Sequence, residues 1–136
     1  MKAREIMTRP VIAASKTTRV RDVAMQMLIG GFSGMPVAEP DGTLLGVITE
    51  FDVIRAIRRG RSPEKTTVEE IMSDEVISVD VTASTDKVMT LMDTAHILRV
   101  PVTEDGKLVG VISRPDILRA YIDANFMAFG GTDIRS

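Results

Sequence analysis

The stretch Gly46-Val47-Ile48-Thr49-Glu50-Phe51-Asp52 returns later in the chain as Gly110-Val111-Ile112-Ser113-Arg114-Pro115-Asp116, and its surroundings return with it. Ile6-Met7 reappears as Ile71-Met72 (71 − 6 = 65) and Pro36-Val37 as Pro101-Val102 (101 − 36 = 65), while the aspartates lie one residue closer (116 − 52 = 64). An ordered set of motifs occurring twice is the mark of a repeat architecture. A unit of about 64 residues buries too little surface to be comfortable alone. The economical solution packs the sheets of the two repeats together, as an α+β (α/β-like) body with pseudo-twofold symmetry and one copy of the opening motif in a cleft on either side.

Each repeat spells a βαββα unit. A short helical piece, Lys2 to Met7 or Val68 to Met72, leads into an extended pair, Val11-Ile12 or Val76-Ile77. The second copy carries Thr67-x-x-Glu70, a capping box. Next comes an amphipathic helix: Val20, Val23, Ala24, Met27 and Leu28 share a face in the first copy, and Val88, Leu91, Met92 and Ala95 in the second. Strands are expected to start near Pro36 and Pro101, because proline suits a strand's beginning or edge. Hairpins follow at Asp41-Gly42 and Asp105-Gly106, the second turn a residue shorter, with the strand registers kept. The closing helices carry Val53, Ile54, Ala56 and Ile57, matched by Ile117, Leu118, Ala120 and Tyr121. These landmarks divide the chain into repeats at 1–61 and 62–125, joined by a polar linker around Arg58 to Lys65, with a tail at 126–136 that carries Gly130-Gly131.

The opening motif has two readings. Val47 and Ile48 suit a buried strand, and Thr49 or Ser113 suits the N-cap of the helix that follows. Hydroxyl-x-x-acid is also capping-box spacing, so Thr49 with Asp52 and Ser113 with Asp116 could serve only orphan backbone donors. Alternatively, a hydroxyl and a carboxylate at a helix start form a binding edge for a ribose and its phosphate. Spacing alone leaves both readings open.

Composition removes other functions. A net charge of −2 gives no bulk attraction to nucleic acid or to an acidic membrane. No apolar run approaches a membrane span and no signal-peptide core is present, so the cytoplasm is the expected location. Zero cysteines exclude thiolate chemistry, and the single histidine, His96, cannot make a His-pair zinc site, so no metal site is expected. No nucleophile with a base, carboxylate cluster or P-loop pattern is visible, and no enzyme activity is expected.

Taken together, the Ile-Met element with its extended segment, the Pro-Val strand, the Asp-Gly hairpin and Gly-Val-Ile-Thr/Ser-x-x-Asp resemble a tandem pair of CBS domains, a Bateman module, over roughly residues 1–125. The resemblance implies regulatory binding of AMP, ADP or ATP in clefts between the repeats, or of S-adenosylmethionine or NAD. By that resemblance Asp52 and Asp116 accept the ribose hydroxyls, and Thr49 and Ser113 contact ribose or phosphate. The base would lie against Val11, Ile12, Met35 and Pro36 in one site, and against Val76, Ile77, Val100 and Pro101 in the other. Arg99 and Arg114 place positive charge near the second motif, whereas Glu50 occupies the place of Arg114 in the first. Charge therefore ranks the Asp116 site first, for the more highly charged nucleotides, with the Asp52 site weaker or empty. Family members pair into homodimers through their helices, and the segment Phe126 to Phe129 is a candidate contributor. The expected function is a free-standing sensor acting on an unidentified target protein. The alternative is a ligand-free structural module that dimerises and docks.

Overall fold

The computed structural model describes residues 1–123, so the expectations for Phe126–Phe129 and Gly130-Gly131 lie outside the described residues. The chain forms two compact units. One, here the Asp52 unit, comprises Val11–Ile77 with Asp105–Leu108; the other, the Asp116 unit, comprises Met1–Pro10, Ser78–Glu104 and the chain from Val109 onward.

In the Asp52 unit, helix α2 (Val20–Gly30) leads to an antiparallel pair, β1 (Gly34–Ala38) and β2 (Leu44–Thr49), and then to α3 (Glu50–Arg58) and α4 (Val68–Ile71). The Asp116 unit opens with α1 (Ala3–Ile6) and resumes with β3 (Val79–Asp80), α5 (Thr85–Ala95), β4 (Arg99–Glu104), β5 (Lys107–Ser113) and α6 (Arg114–Leu118). A π-helical turn, Arg119–Asp123, follows α6 where the sequence pattern predicts a continuous helix. Strand β3 runs parallel to β4, and the matching place in the Asp52 unit holds only a bridge from Ala14 to Val37.

The lead helix of each repeat belongs to the unit of the other repeat's motif. Ala3 and Arg4 donate to the carbonyls of Ala83 and Val81 at 2.7 and 3.1 Å, and their counterparts Val68 and Glu69 donate to Thr18 and Lys16 at 2.8 and 3.0 Å. Ala3 joins Val88, Val102 and Ile112 in one core, and Val68 joins Val23, Val37 and Ile48 in the other. The repeat in sequence and the unit in space are therefore different divisions of the chain.

Both prolines sit inside their strands rather than at the start. Pro36 lies opposite Val47, whose N–H and carbonyl are both committed to Ser73 on its far side, so the pair needs no donor from the proline. Pro101 precedes Val102, where the pairing with β3 begins. The Asp105-Gly106 turn has both residues at positive φ, the conformation that makes Asp-Gly favourable in two-residue hairpins. In the first hairpin the register shifts between Val37 and Ala38, a bulge that spacing alone does not reveal. His96 stands where the first repeat has Gly31 (96 − 31 = 65); both take the left-handed conformation that ends a helix.

The helical faces are narrower than their apolar spacing suggests. Val20, Val23 and Met27 are buried, but Leu28 and Ile29 are 76% and 81% exposed, and Phe51 on α3 is 70% exposed. On the same helix Val53 and Ala56 face the core while Ile54 and Ile57 do not. The Asp116 unit repeats this with Leu118, Tyr121 and Ile122 exposed.

Candidate functional site

Each Gly-Val-Ile-hydroxyl motif runs out of a strand and into a helix, and the capping box expected from its spacing forms in both copies. Asp52 Oδ2 accepts from the Thr49 N–H at 2.8 Å and from its hydroxyl at 3.1 Å; Asp116 Oδ2 accepts from the Ser113 N–H at 2.8 Å and its hydroxyl at 3.0 Å. The other oxygen of each carboxylate faces an arginine one turn on, Arg55 at 2.7 Å and Arg119 at 2.6 Å. These arginines follow their aspartates at the same interval in sequence, and the geometry now gives them a partner.

One contact breaks the symmetry. Thr8, on the segment that follows α1, donates its hydroxyl to Asp116 Oδ1 at 2.8 Å. Its backbone is fixed against β5 by reciprocal hydrogen bonds with Val111, at 2.8 and 3.2 Å. Ser73 holds the same place against Val47, with both bonds at 2.9 Å, yet among the described residues it sends no hydrogen bond to Asp52. Sequence reading missed Thr8, although its 65-residue offset from Ser73 puts a hydroxyl there in both repeats. Burial pushes the Asp116 carboxyl up, but the bonds from the Ser113 N–H, Thr8, the Ser113 hydroxyl and Arg119 outweigh it and hold it below the usual carboxylate range.

The motif glycines also acquire a reason. A Cβ on Gly46 would run into the Ser73 carbonyl oxygen, and one on Gly110 into the Met7 thioether. Absence of a side chain lets the segment after each lead helix lie directly on the motif strand.

The remaining expected site residues divide by unit. Thr49, Asp52, Val11, Ile12, Met35 and Pro36 share the Asp52 unit, where Ala14 exchanges backbone bonds with Pro36 and Ala38 and so lays the extended segment along β1. Ser113, Arg114, Asp116, Arg99, Val100 and Pro101 share the Asp116 unit, whereas Val76 and Ile77 group with Asp52. Met35 and Val100 are 1% and 0% exposed, so their side chains belong to the two cores. Ile12 and Ile77 are exposed. Burial, then the charge of Arg114, lowers the Arg99 pKa, while Asp116 raises it. Arg99, Arg114 and Asp116 are thus close enough to influence one another. Arg114 also edges an open cavity of about 390 Å³ walled by Met89, Met92, His96 and Leu98. Among the described residues no three His, Cys, Asp or Glu side chains converge as a metal site, and no helix is long and apolar enough to cross a membrane.

A family model for the CBS domain matches the chain twice, over residues 3–59 and 68–123. The chain belongs to the CBS-domain family. It is 32% identical over 117 residues to the protein MK0525 of Methanopyrus kandleri, covering 85% of this chain but only 60% of that one. It is 30% identical to hypoxic response protein 1 of Mycobacterium tuberculosis, covering 86% of this chain and 82% of that protein. Among solved structures, the CBS pair of protein MJ0100 in complex with 5′-methylthioadenosine and S-adenosyl-L-methionine is similar at a TM-score of 0.76 and 28% identity, over 97% of this chain and 98% of that one.

Proposed function

We propose that this CBS pair is a non-catalytic sensor of adenosyl compounds, with Asp52 and Asp116 as the acceptors for ribose hydroxyls. The observation that carries the reading is the paired boxes: each carboxylate is oriented by a hydroxyl and a main-chain N–H on one oxygen, and its other oxygen meets an arginine one turn on. The adenosyl ligands of the MJ0100 pair support it. Thr49 and Ser113 contact ribose or phosphate. Val11, Ile12 and the backbone at Met35 and Pro36 receive the base beside Asp52; Val100 and Pro101 supply backbone beside Asp116. Arg99 and Arg114 neutralise phosphate, which selects AMP, ADP or ATP over uncharged adenosyl compounds at that site. A vicinal diol makes two charge-assisted bonds to one carboxylate, and losing one costs roughly 1.5–3 kcal/mol, about ten- to a hundredfold in affinity. Isothermal titration with AMP, ATP, S-adenosylmethionine and NAD tests this: Asp52→Ala and Asp116→Ala should each remove one site. Binding unchanged in both variants refutes it.

The exposed Leu28, Ile29 and Phe51, carried by the mutually contacting helices α2 and α3, support self-association through these helices. Sedimentation should give a dimer that Phe51→Glu converts to monomer; a monomeric parent protein rejects this reading.

A further inference from the structure

Acceptor positions on the two aspartates are unequally occupied. A carboxylate offers about four such positions. Asp116 fills four, with the Ser113 N–H and hydroxyl on one oxygen and Thr8 and Arg119 on the other. Asp52 fills three, with the Thr49 N–H and hydroxyl on one oxygen and Arg55 alone on the other. Side-chain exposure follows suit, 4% for Asp116 against 10% for Asp52.

We infer that Thr8 is a specificity-determining latch that closes the Asp116 site against a ribose diol and leaves Asp52 the higher-affinity site; this rests on the adenosyl-binding reading above. At Asp52 one ribose hydroxyl takes the open position, and the second needs only Arg55, a half-exposed side chain, to turn away. At Asp116 both positions on the outer oxygen are taken, so a diol displaces Thr8 as well as Arg119. Charge ranks the Asp116 site first; acceptor occupancy ranks it second for any ligand recognised through its diol. The serine at the matching position shows that the backbone does not impose the contact: Ser73 is held against Val47 by the same two bonds, without reaching Asp52. Filling the Asp116 site releases the Thr8 side chain, and with it one of the ties that hold residues 1–10 to that unit.

Thr8 is exposed, so its displaced hydroxyl regains water and the exchange corresponds to roughly a two- to tenfold change in affinity. The test titrates 5′-methylthioadenosine, which has the diol and no phosphate, and AMP into the Asp52→Asn protein, where only the Asp116 site remains. Adding Thr8→Val, which keeps the shape and removes the hydroxyl, should raise affinity for both compounds by roughly two- to tenfold, and Thr8→Ser should restore the lower value. In the Asp116→Asn background, Ser73→Ala should leave the remaining site unchanged. Thr8 is exposed and keeps its backbone bonds in every variant. A Thr8 that served only the fold would give the opposite sign, with weaker binding and a lower melting temperature. Unchanged or weaker binding in Thr8→Val overturns the latch while the adenosyl reading stands. No binding of either compound to any form overturns both.

Discussion

The two motif glycines are equivalent in sequence and unequal in surroundings, which makes Gly46→Ala and Gly110→Ala a sharp comparison. At Gly46 the added methyl meets the Ser73 carbonyl oxygen, with Met72 Sδ at 3.0 Å and the Ser73 carbonyl carbon at 3.3 Å. That carbonyl cannot retreat without stretching the two 2.9 Å bonds between Val47 and Ser73. Overpacking costs about 1–3 kcal/mol and each weakened bond up to about 1 kcal/mol, against a gain of about 0.5–1 kcal/mol from replacing a strand glycine. The net expectation is a loss of about 2–4 kcal/mol. At Gly110 the obstacles are the Sδ, Cγ and Cβ of Met7, with Cβ at 3.1 Å. A methionine has three rotatable bonds and adapts, so the loss there should stay within about 1.5 kcal/mol. Urea unfolding of both variants, read by circular dichroism with m-values checked for constancy, measures the difference. Equal losses, or a larger loss at Gly110, would refute the idea that a fixed carbonyl and a pliable side chain distinguish the two positions.

Other expectations follow from the same contacts. Because the Asp116 carboxyl lies below its ordinary value in the folded state, its contribution is complete above the unfolded carboxylate pKa of about 3.9 and is lost as pH falls through the folded value. Acid unfolding of Asp116→Asn should therefore be less steep below about pH 4 than that of the parent protein, and an unchanged acid limb would show that the carboxylate is not coupled to folding. Ile48→Ala and Ile112→Ala each remove a fully buried side chain and should cost about 2–5 kcal/mol in chemical unfolding. His96→Gly should raise stability by up to about 1 kcal/mol, since the residue sits at φ 54°, where the other repeat uses glycine; a lower melting temperature would mean the imidazole contributes more than the strain costs.

Much of this fold can be read from residue order because the information is local. Thr67-x-x-Glu70, Thr49-x-x-Asp52 and the Asp105-Gly106 turn form as their spacing implies, since capping and turn geometry are decided within a few residues. Periodicity was less reliable for the helix faces: Leu28 and Ile54 lie on apolar stripes yet face outward, because spacing counts apolar residues without saying how many a two-stranded sheet can cover. The site divides in the same way. The box of hydroxyl and carboxylate was legible, while the Thr8 contact, spanning 108 positions, was not; no local pattern encodes which distant hydroxyl arrives at a carboxylate. Nor does sequence say that Met35 and Val100 turn their side chains into the core.

The exchanged lead helices set an order of events during synthesis. Ala3 and Thr8 leave the ribosome before their partners Ala83, Val111 and Asp116, which emerge roughly a hundred residues later, several seconds at about 5–20 residues per second. The segment that carries Ala3 and Thr8 thus waits, undocked, until the last described helices exist. A break between the repeats at 61 would strand each lead helix on the wrong fragment, so the fragments should regain their units only by association, each returning to the other the piece it carries away.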